Sequence, residues 1–390
     1  MRNLLFKPQR PGRADYTLAI VTFALIVIGL IMISSASIVI SYERTGSNYF
    51  YLNRQLIFMA VGMVAMIIFS MIDYRVWRKL ALPLMIISLI FLSIVLLPYF
   101  ASPSHGANRW IILGPFNFQP SEFAKLAIII YLSGWLARRK DDVKSFSRGF
   151  LPFLFILAIV IFLIMREPDL GTMAIIAGSA AVVFFVAGAS WIHVVLGAGS
   201  GLLVIFALIL SAPYRLSRFF TFLNPGSDPQ GTGYQIKNAL IAIGSGGLWG
   251  LGFGNSRQKY LYLPEAHTDA IFAVIVEEIG FIRASSIIIL FVLLGYRGYK
   301  IAKEAPDDFG RFLAVGITTW FILQAIINLS AISGLIPLTG VPLPFISYGG
   351  SSLIISLAAV GILLNISKFK IQNPKSQTNS NIEIQNPKSF

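Results

Sequence analysis

The sequence contains no cysteine among its 390 residues. Disulfide bonds and thiolate metal sites are therefore excluded, although this absence does not identify the cellular compartment. Histidine is also scarce, with three residues, and no second histidine stands at metal-ligand spacing from His267. The sequence therefore predicts no zinc site and no evident cofactor.

Charge is scarce as well. Only 12% of the residues are charged, whereas 56% are hydrophobic, and the mean hydropathy is +0.75. This composition excludes an ordinary soluble globular domain. The stretches 170–214 and 312–367 contain no charged residue, and each has room for two membrane-crossing helices of about 20 residues. The fold class predicted is therefore an all-α integral membrane protein.

Charged residues and clusters of Gly and Pro divide the chain into ten predicted transmembrane helices, with a large outer loop at 213–268 between spans 7 and 8. The predicted spans are 16–41, 53–72, 80–99, 118–137, 150–166, 169–187, 190–212, 269–296, 311–333 and 346–367. The membrane domain thus covers 16–367, after a cytoplasmic N-terminal segment at 1–15. Residues 368–390 repeat "IQNPKS" in a polar setting, which predicts a disordered cytoplasmic tail.

Acidic residues are fewer than basic ones, 17 against 31, and the net charge is +14. The basic residues occupy short clusters beside predicted spans, so anionic lipid and topology explain them better than nucleic acid does. Twenty of the 31 lie on the side that holds both termini, and nine lie on the opposite side. Because cytoplasmic loops are enriched in Lys and Arg, both termini are predicted to be cytoplasmic.

The loop 213–268 is rich in Gly, Pro, aromatic and charged residues. Together with two shorter outer loops, at 100–117 and 334–345, it could line one cavity. Within the loop 213–268, the stretch "IAIGSGGLWGLGFGNS" (241–256) lacks the Gly-Lys-Ser/Thr ending of a phosphate-binding P-loop. Close backbone packing or a re-entrant segment is the interpretation that remains. Function is predicted on these outward loops, which a rigid bundle would hold in place.

Asp269 stands where the outer loop enters span 8. Two interpretations stay open, and they are compatible. Thr268 or Asp269 could cap the helix, since negative charge suits a helix N-terminus. Alternatively, partial desolvation at the membrane boundary would raise the pKa of Asp269 toward neutrality, as a general base requires. Glu265 and His267 precede it, and either order the loop or bind substrate.

Glu277 and Glu278 lie about 12 and 13.5 Å along the helix from Asp269, near mid-membrane. Carboxylates at that depth face a cavity or a partner. Glu277 alone shares a side of the helix with Asp269, so it is a candidate for substrate binding. Glu278 is predicted to hold helices together.

Two cations are candidates for binding an anionic substrate, Lys125 in span 4 and Arg109 in the preceding loop. Lys125 stands three residues after Glu122, so an internal ion pair is the alternative for it. The guanidinium of Arg109 suits phosphate oxygens. Asp169, in "REPDLGT", is predicted to cap span 6.

Four strings in order resemble the SEDS family of bacterial cell-wall polymerases, over residues 15–367. They are "GANRWIILGPFNFQPSEFAKLA", "REPDLGT", the outer loop ending in "GNSRQKYLYLPEAHTD", and "PLTGVPLPFISYGGSSL". The loop string is more similar to the division branch, FtsW, than to the elongation branch, RodA. The family's essential aspartate falls on Asp269, which the resemblance implies is catalytic.

The resemblance implies a peptidoglycan glycosyltransferase that polymerises lipid II at the septum of the bacterial inner membrane. It also implies a class B penicillin-binding protein and other divisome membrane proteins as partners. Whether a divalent cation assists the pyrophosphate stays open. The chain departs from the expected pattern at Ala270, where Phe is expected, and at Arg283, where Gly is expected. The alternatives are a lipid II flippase, an elongation or sporulation polymerase, and a non-catalytic scaffold.

Overall fold

Helices make up most of the described chain. The computed structural model describes residues 12–97, 101–104, 107–113, 116–210, 213–224, 226, 228 and 231–369. The helices are α1 (Tyr16–Ala36), α2 (Ile38–Thr45), α3 (Phe50–Met71), α4 (Arg75–Ile94), α5 (Pro120–Arg138), α6 (Leu151–Arg166, preceded by a π-helical turn at Phe146–Phe150), α7 (Leu170–Val186), α8 (Trp191–Leu210), α9 (Pro213–Leu223), α10 (Thr232–Gly246), α11 (Ile271–Glu304), α12 (Asp308–Ile332) and α13 (Gly350–Lys368).

Eight of the described helices are long and apolar enough to cross a membrane. They correspond to eight of the ten predicted spans and make the chain an integral membrane protein. The other two predicted spans form α5 and α7. Helix α7, with 17 residues, is slightly shorter than the eight. Helix α5 is less apolar than the eight because it contains both Glu122 and Lys125. The total of ten stays a prediction, and so does the division into segments, since 1–11 and 370–390 lie outside the described residues.

The interior of the bundle is formed by α12 and α13. In their most apolar windows 72% and 78% of the residues are buried, compared with 17% for α3 and 7% for α8. Helix α13 packs against α3, and α12 packs against α7 and α11. A helix that is apolar on all sides and buried is typical of the centre of a bundle, whereas α3 and α8 present apolar faces outward. Helices α12 and α13 are therefore the most buried of the eight helices that are long and apolar enough to cross a membrane.

A small sheet occupies the loop that the sequence analysis left without regular structure. Strand β1 (Ala101–Ser104) pairs antiparallel with β2 (Ala107–Leu113), and β2 pairs antiparallel with β3 (Phe116–Phe118). The all-α membrane class is confirmed, and this sheet of three short strands is a local addition to it. The sheet leads directly into α5, so it fixes the position of Arg109 relative to the bundle.

Helix α11 is broken at Gly280, whose φ is 82°. The glycine-rich stretch after α10 lies against this break. There, Leu251 and Gly252 donate backbone N–H groups to the carbonyls of Glu277 and Glu278, at 2.9 Å each. A Cβ at Gly250 or at Gly280 would overlap the backbone of the other segment. The predicted close backbone packing is confirmed, and it satisfies polar groups that the break would otherwise leave unpaired.

Candidate active site

Asp269 lies in a turn that ends just before α11. The backbone N–H groups of Thr268 and Ala270 both donate to the carbonyl of Glu265, at 3.1 and 3.2 Å. The N-cap position is Ala270, and no side chain caps the helix. The capping prediction for Thr268 and Asp269 is therefore wrong. Because the turn places Asp269 before the cap, its carboxylate is not used by the helix end.

The carboxyl of Asp269 is partly buried. Burial, and next the negative charge of Glu265, raise its pKa to about 7, although a bond from Thr268 and the positive charge of Arg218 act in the opposite direction. Desolvation disfavours the charged form of a carboxyl group, and a nearby carboxylate does the same. The pKa therefore lies in the range that suits a general base at neutral pH.

Asn328, near the C-terminal end of α12, holds the backbone around Asp269. Its Nδ2 donates to the carbonyl of Asp269 and to that of Val341, both at 2.8 Å. A Cβ built on Gly340 would lie 3.9 Å from Oδ2 of Asp269. The loop between α12 and α13 is thus one wall of the site, as predicted. The sequence analysis missed Asn328, whose signal was its place beside Gln324 as one of two amides inside an apolar run.

Arg218 is a second residue that the sequence analysis did not single out. It lies in α9, and its Nη1 donates to the carbonyl of Leu338 at 3.3 Å. Its charge is close enough to Asp269 to lower the pKa of that carboxyl. The signal in the sequence was only its membership among the basic residues of the 213–268 loop. The fold places a guanidinium beside the candidate base.

Glu265 and His267 flank the turn. Glu265 has a positive φ of 53° and accepts a bond from Thr268 Oγ1 at 2.6 Å. The ring of His267 is buried and packs against Tyr51 and Tyr348, with centroids 4.6 and 5.7 Å away. Burial lowers the pKa of His267 to about 4, so the imidazole is neutral at pH 7. These contacts order the loop, and the predicted contacts of both residues with substrate stay predictions.

The two buried glutamates of α11 hold the outer loop in place. Glu277 accepts hydrogen bonds from the Ser256 hydroxyl and from the backbone N–H groups of Arg257 and Gln258. Both of its oxygens are thus engaged within the protein, and its predicted contact with substrate stays a prediction. Glu278 forms a buried ion pair with Lys259 at 3.1 Å and accepts from Ser35 Oγ of α1 at 2.6 Å. The prediction that Glu278 holds helices together is confirmed.

Lys125 lies inside the bundle and is 1% exposed. Its Nζ contacts Glu122 Oε1 and Gln324 Oε1, both at 2.8 Å, and stands 4.9 Å from the centroid of the Trp320 ring. The internal ion pair, one of the two predicted alternatives, is therefore formed. A role for Lys125 at an anionic substrate stays untested, and its ammonium is already surrounded by protein groups.

Arg109 joins β2 to the turn between α6 and α7. Its Nε donates to the carbonyl of Glu167 at 2.8 Å, and its Nη2 donates to that of Pro168 at 2.6 Å. Asp169, in the same turn, accepts from the backbone N–H of Thr172 at 2.9 Å. The predicted cap by Asp169 is confirmed for α7. Arg109 keeps part of its guanidinium for other contacts, so its predicted contact with an anion stays a prediction.

The two departures from the family pattern have identifiable surroundings. Ala270 is fully buried at the start of α11. Arg283 is exposed, and its Nη1 lies 3.4 Å from the carbonyl of Trp249. The contact that Arg283 makes with this neighbouring segment is therefore to a backbone oxygen. The described residues contain no group of three or more His, Asp or Glu side chains that could hold a metal ion.

These features define the class of the protein: an integral membrane protein with a titratable carboxyl group on an ordered loop at the end of a helical bundle. The chain belongs to the family whose model is described as "Cell cycle protein" (FTSW_RODA_SPOVE), which matches residues 16–372. The family predicted from the sequence is thereby confirmed.

Similar proteins cover nearly the whole chain. The Stage V sporulation protein E of Bacillus subtilis is 46% identical over 355 residues, which are 91% of this chain and 97% of that protein. A protein of Trichlorobacter lovleyi named "Probable peptidoglycan glycosyltransferase FtsW" is 44% identical over 370 residues, 94% of this chain and 96% of that one. The match is therefore not confined to one segment.

Solved structures agree with this grouping. A chain from a peptidoglycan synthase complex, described as coordinating polymerization and crosslinking, has a TM-score of 0.77 at 28% identity and covers 91% of this chain and 97% of that one. The rod shape determining protein RodA of Thermus thermophilus has a TM-score of 0.69 at 28% identity, covering 95% and 100%. The helical membrane fold is thus shared.

Proposed function

We propose that the protein is a peptidoglycan glycosyltransferase that polymerises lipid II into glycan strands. The observation that carries this proposal is the Asp269 carboxyl group, which has a pKa of about 7 and is held on an ordered turn. Relatives more than 40% identical to the chain bear the name of that activity, and a related solved chain belongs to a peptidoglycan synthase complex.

The chemistry joins an acceptor sugar hydroxyl to the anomeric carbon of a lipid-linked donor. Asp269 takes the hydroxyl proton while the new C–O bond forms. The bond between the anomeric carbon and the phosphate oxygen breaks, and its electron pair leaves with undecaprenyl pyrophosphate. A base and nearby cations are what this step requires, because the leaving group gains negative charge.

Arg218 is the best-placed of the cations near Asp269, since its charge already acts on that carboxyl. Arg109 lies at the turn before α7 and can contribute a second guanidinium. Lys125 is less suited to contact substrate because it is buried in its pair with Glu122. Glu265 and His267 shape the loop that presents the base. We keep open a divalent cation at the pyrophosphate.

The proposal includes the setting of the reaction. We assign the protein to the bacterial inner membrane at the division septum, with both termini cytoplasmic and the site on the outer side. Its proposed partners are a class B penicillin-binding protein and other divisome membrane proteins. The similarity to a sporulation protein and to RodA keeps those branches as alternatives.

The alternative function, a lipid II flippase, was suggested by the predicted position of Glu277 and Glu278 near mid-membrane. Both side chains are engaged within the protein, in loop anchoring and in an ion pair with Lys259. The observation that favoured a flippase is thereby accounted for without transport, and polymerisation is the function that the geometry supports best.

The test combines purified protein and its transpeptidase partner with labelled lipid II and resolves glycan strands on a gel. We expect polymer from the wild type and from Glu43→Gln, an exposed acidic residue of α2. We expect none from Asp269→Asn that still elutes as a folded, monodisperse protein. Equal polymer from Asp269→Asn would remove Asp269 as the base, and it is also the result that a scaffold predicts.

A further inference from the structure

A cavity of about 250 Å³ lies between the α1–α2 segment and the outer loop. Its buried lining includes Ala36, Lys259 and His267, and its exposed rim includes Arg44 and Leu261. The volume is sufficient for a diphosphate group but not for a complete lipid-linked disaccharide. An exposed apolar residue at the rim would allow the lipid part of a bound molecule to stay in the bilayer.

The cavity adjoins the candidate base. Glu265 and His267 line it, and they precede Asp269 by four and two residues in the same turn. The negative charge of Glu265 acts on the Asp269 carboxyl and raises its pKa. Asp269 itself does not belong to the lining, and its side chain is near Gly340. A molecule in the cavity would thus lie next to the reacting group without covering it.

The two cations at the cavity differ in availability. Lys259 Nζ contacts Ser35 Oγ, the Gly254 carbonyl and Glu278, and so uses its three donors within the protein. Arg44 Nη1 donates to the Tyr51 hydroxyl at 3.2 Å, and among the described residues it forms no ion pair. Most of the Arg44 guanidinium donors, and its positive charge, are therefore available at the rim.

His267 adds a neutral polar group to the lining. It is 4% exposed, and its Nδ1 has no hydrogen-bond partner within the described part of the chain. A buried polar atom without a partner is costly unless a water or a ligand satisfies it. Glu265 contributes a carboxylate to the same cavity and accepts a bond from Thr268, so a bound anion would be attracted by Arg44 and repelled by Glu265.

We propose that this cavity binds a phosphate group of a lipid-linked diphosphate, with Arg44 as its cation and His267 as a neutral hydrogen-bond partner. This inference rests on the proposed function, because a lipid diphosphate is the leaving group of that reaction. Arginine presents paired N–H donors that match phosphate oxygens, and a charged donor gives the stronger hydrogen bond. The site would hold the diphosphate at the membrane boundary while its lipid remains in the bilayer.

Binding can be measured without turnover, by thermophoresis of the purified full-length protein with three probes. The probes are undecaprenyl pyrophosphate, undecaprenol and inorganic pyrophosphate. We expect undecaprenyl pyrophosphate to bind most tightly, and Arg44→Gln to weaken it by about 10-fold or more, as loss of a charge-assisted hydrogen bond implies. Arg44→Lys should retain part of the affinity. Arg257→Gln, an exposed arginine of the same loop outside the lining, should match the wild type.

Each contrary outcome has a separate meaning. Unchanged affinity in folded Arg44→Gln would overturn the site. Equal affinity for undecaprenol would overturn phosphate recognition, and equal Arg44-dependent affinity for inorganic pyrophosphate would overturn the lipid assignment. Wild-type protein that binds the lipid diphosphate through Arg44 but fails to polymerise lipid II would contradict the proposed function while leaving this site in place.

Discussion

At the scale of single residues, the proposed proton transfer depends on the environment that the fold creates around the Asp269 carboxyl group. In the sequence Asp269 is one of several nearby acidic residues. In the structure, burial and the negative charge of Glu265 raise its pKa to about 7. The Asn328 amide fixes the backbone that carries it. Neighbouring acids that look equivalent in the sequence are used differently, since Glu277 anchors a loop and Glu278 pairs with Lys259.

The raised pKa predicts how polymerisation depends on pH. Only the carboxylate form of Asp269 can accept a proton, so the rate at lipid II concentrations well below KM, which reports the free enzyme, should rise with pH and reach half its maximum near pH 7. An unperturbed aspartate would give a midpoint of about 4. The measurement is initial polymerisation rate between pH 5 and 9, with gel filtration at each pH as the control for folding. A rate that is constant over this range would contradict the assignment.

At the scale of elements, α11 is defined by its break at Gly280. The φ of 82° is a conformation that side-chain-bearing residues rarely adopt. The break allows Phe281 N–H to donate to the Gly247 carbonyl at 2.9 Å, next to the bonds that Leu251 and Gly252 make on the other side. The glycine-rich stretch and the broken helix therefore form one structural unit that holds the outer loop.

Substitution of Gly280 by Ala should disturb this unit. The strained φ alone costs about 1–3 kcal/mol, and the new Cβ would overlap the backbone of Trp249 and Gly250. We expect a lower melting temperature in detergent. Gly244→Ala, in α10 with no atom within 4 Å of the added Cβ, is the matched control and should be neutral or stabilising by up to about 1 kcal/mol. Equal melting temperatures for both variants would refute this account.

Variants of the Glu122–Lys125 pair in α5 can distinguish a structural role of Lys125 from a role in binding substrate. Removing one partner of a buried pair leaves an uncompensated charge and costs about 3–5 kcal/mol, whereas replacing both is often tolerated. Lys125→Met should therefore destabilise the protein, and the double variant Glu122→Gln/Lys125→Met should recover stability.

The double variant also reports on activity. If the role of Lys125 is structural, the double variant should recover its stability and also polymerise lipid II at a near-normal rate. A stable double variant that lacks activity would instead support the predicted contact between Lys125 and an anionic substrate. Thermal unfolding and the strand gel, measured on the same preparations, distinguish the two results.

At the scale of the whole molecule, the absence of cysteine makes the orientation testable. Ser47 lies between α2 and α3 and Ser145 between α5 and α6, on opposite sides in the predicted topology. In spheroplasts, a membrane-impermeant maleimide should label a Ser47→Cys variant directly and a Ser145→Cys variant only after permeabilisation. The unsubstituted chain is the blank. The reverse pattern would place the termini outside.

Much of the fold follows from local sequence properties. Charge-free runs of sufficient length predicted the helices that cross the membrane, because unpaired backbone groups are not tolerated in hydrocarbon. The loop 213–268 was predicted as the functional region but not its two helices, α9 and α10, because the Gly, Pro and charged residues of this stretch indicated a loop. The small sheet was missed because its strands are three to seven residues long.

The sequence by itself determined the membrane class, the family and Asp269 as the candidate base, since these depend on composition and on collinear motifs. Tertiary structure decided which polar groups meet. Asn328 reaches the Asp269 carbonyl across 59 residues, and Ser35 reaches Glu278 across 243. The positions of Arg218 beside the base and of Arg44 at the cavity also depend on which helices become neighbours. Such contacts arise from packing over long separations, and no local pattern in the chain specifies them.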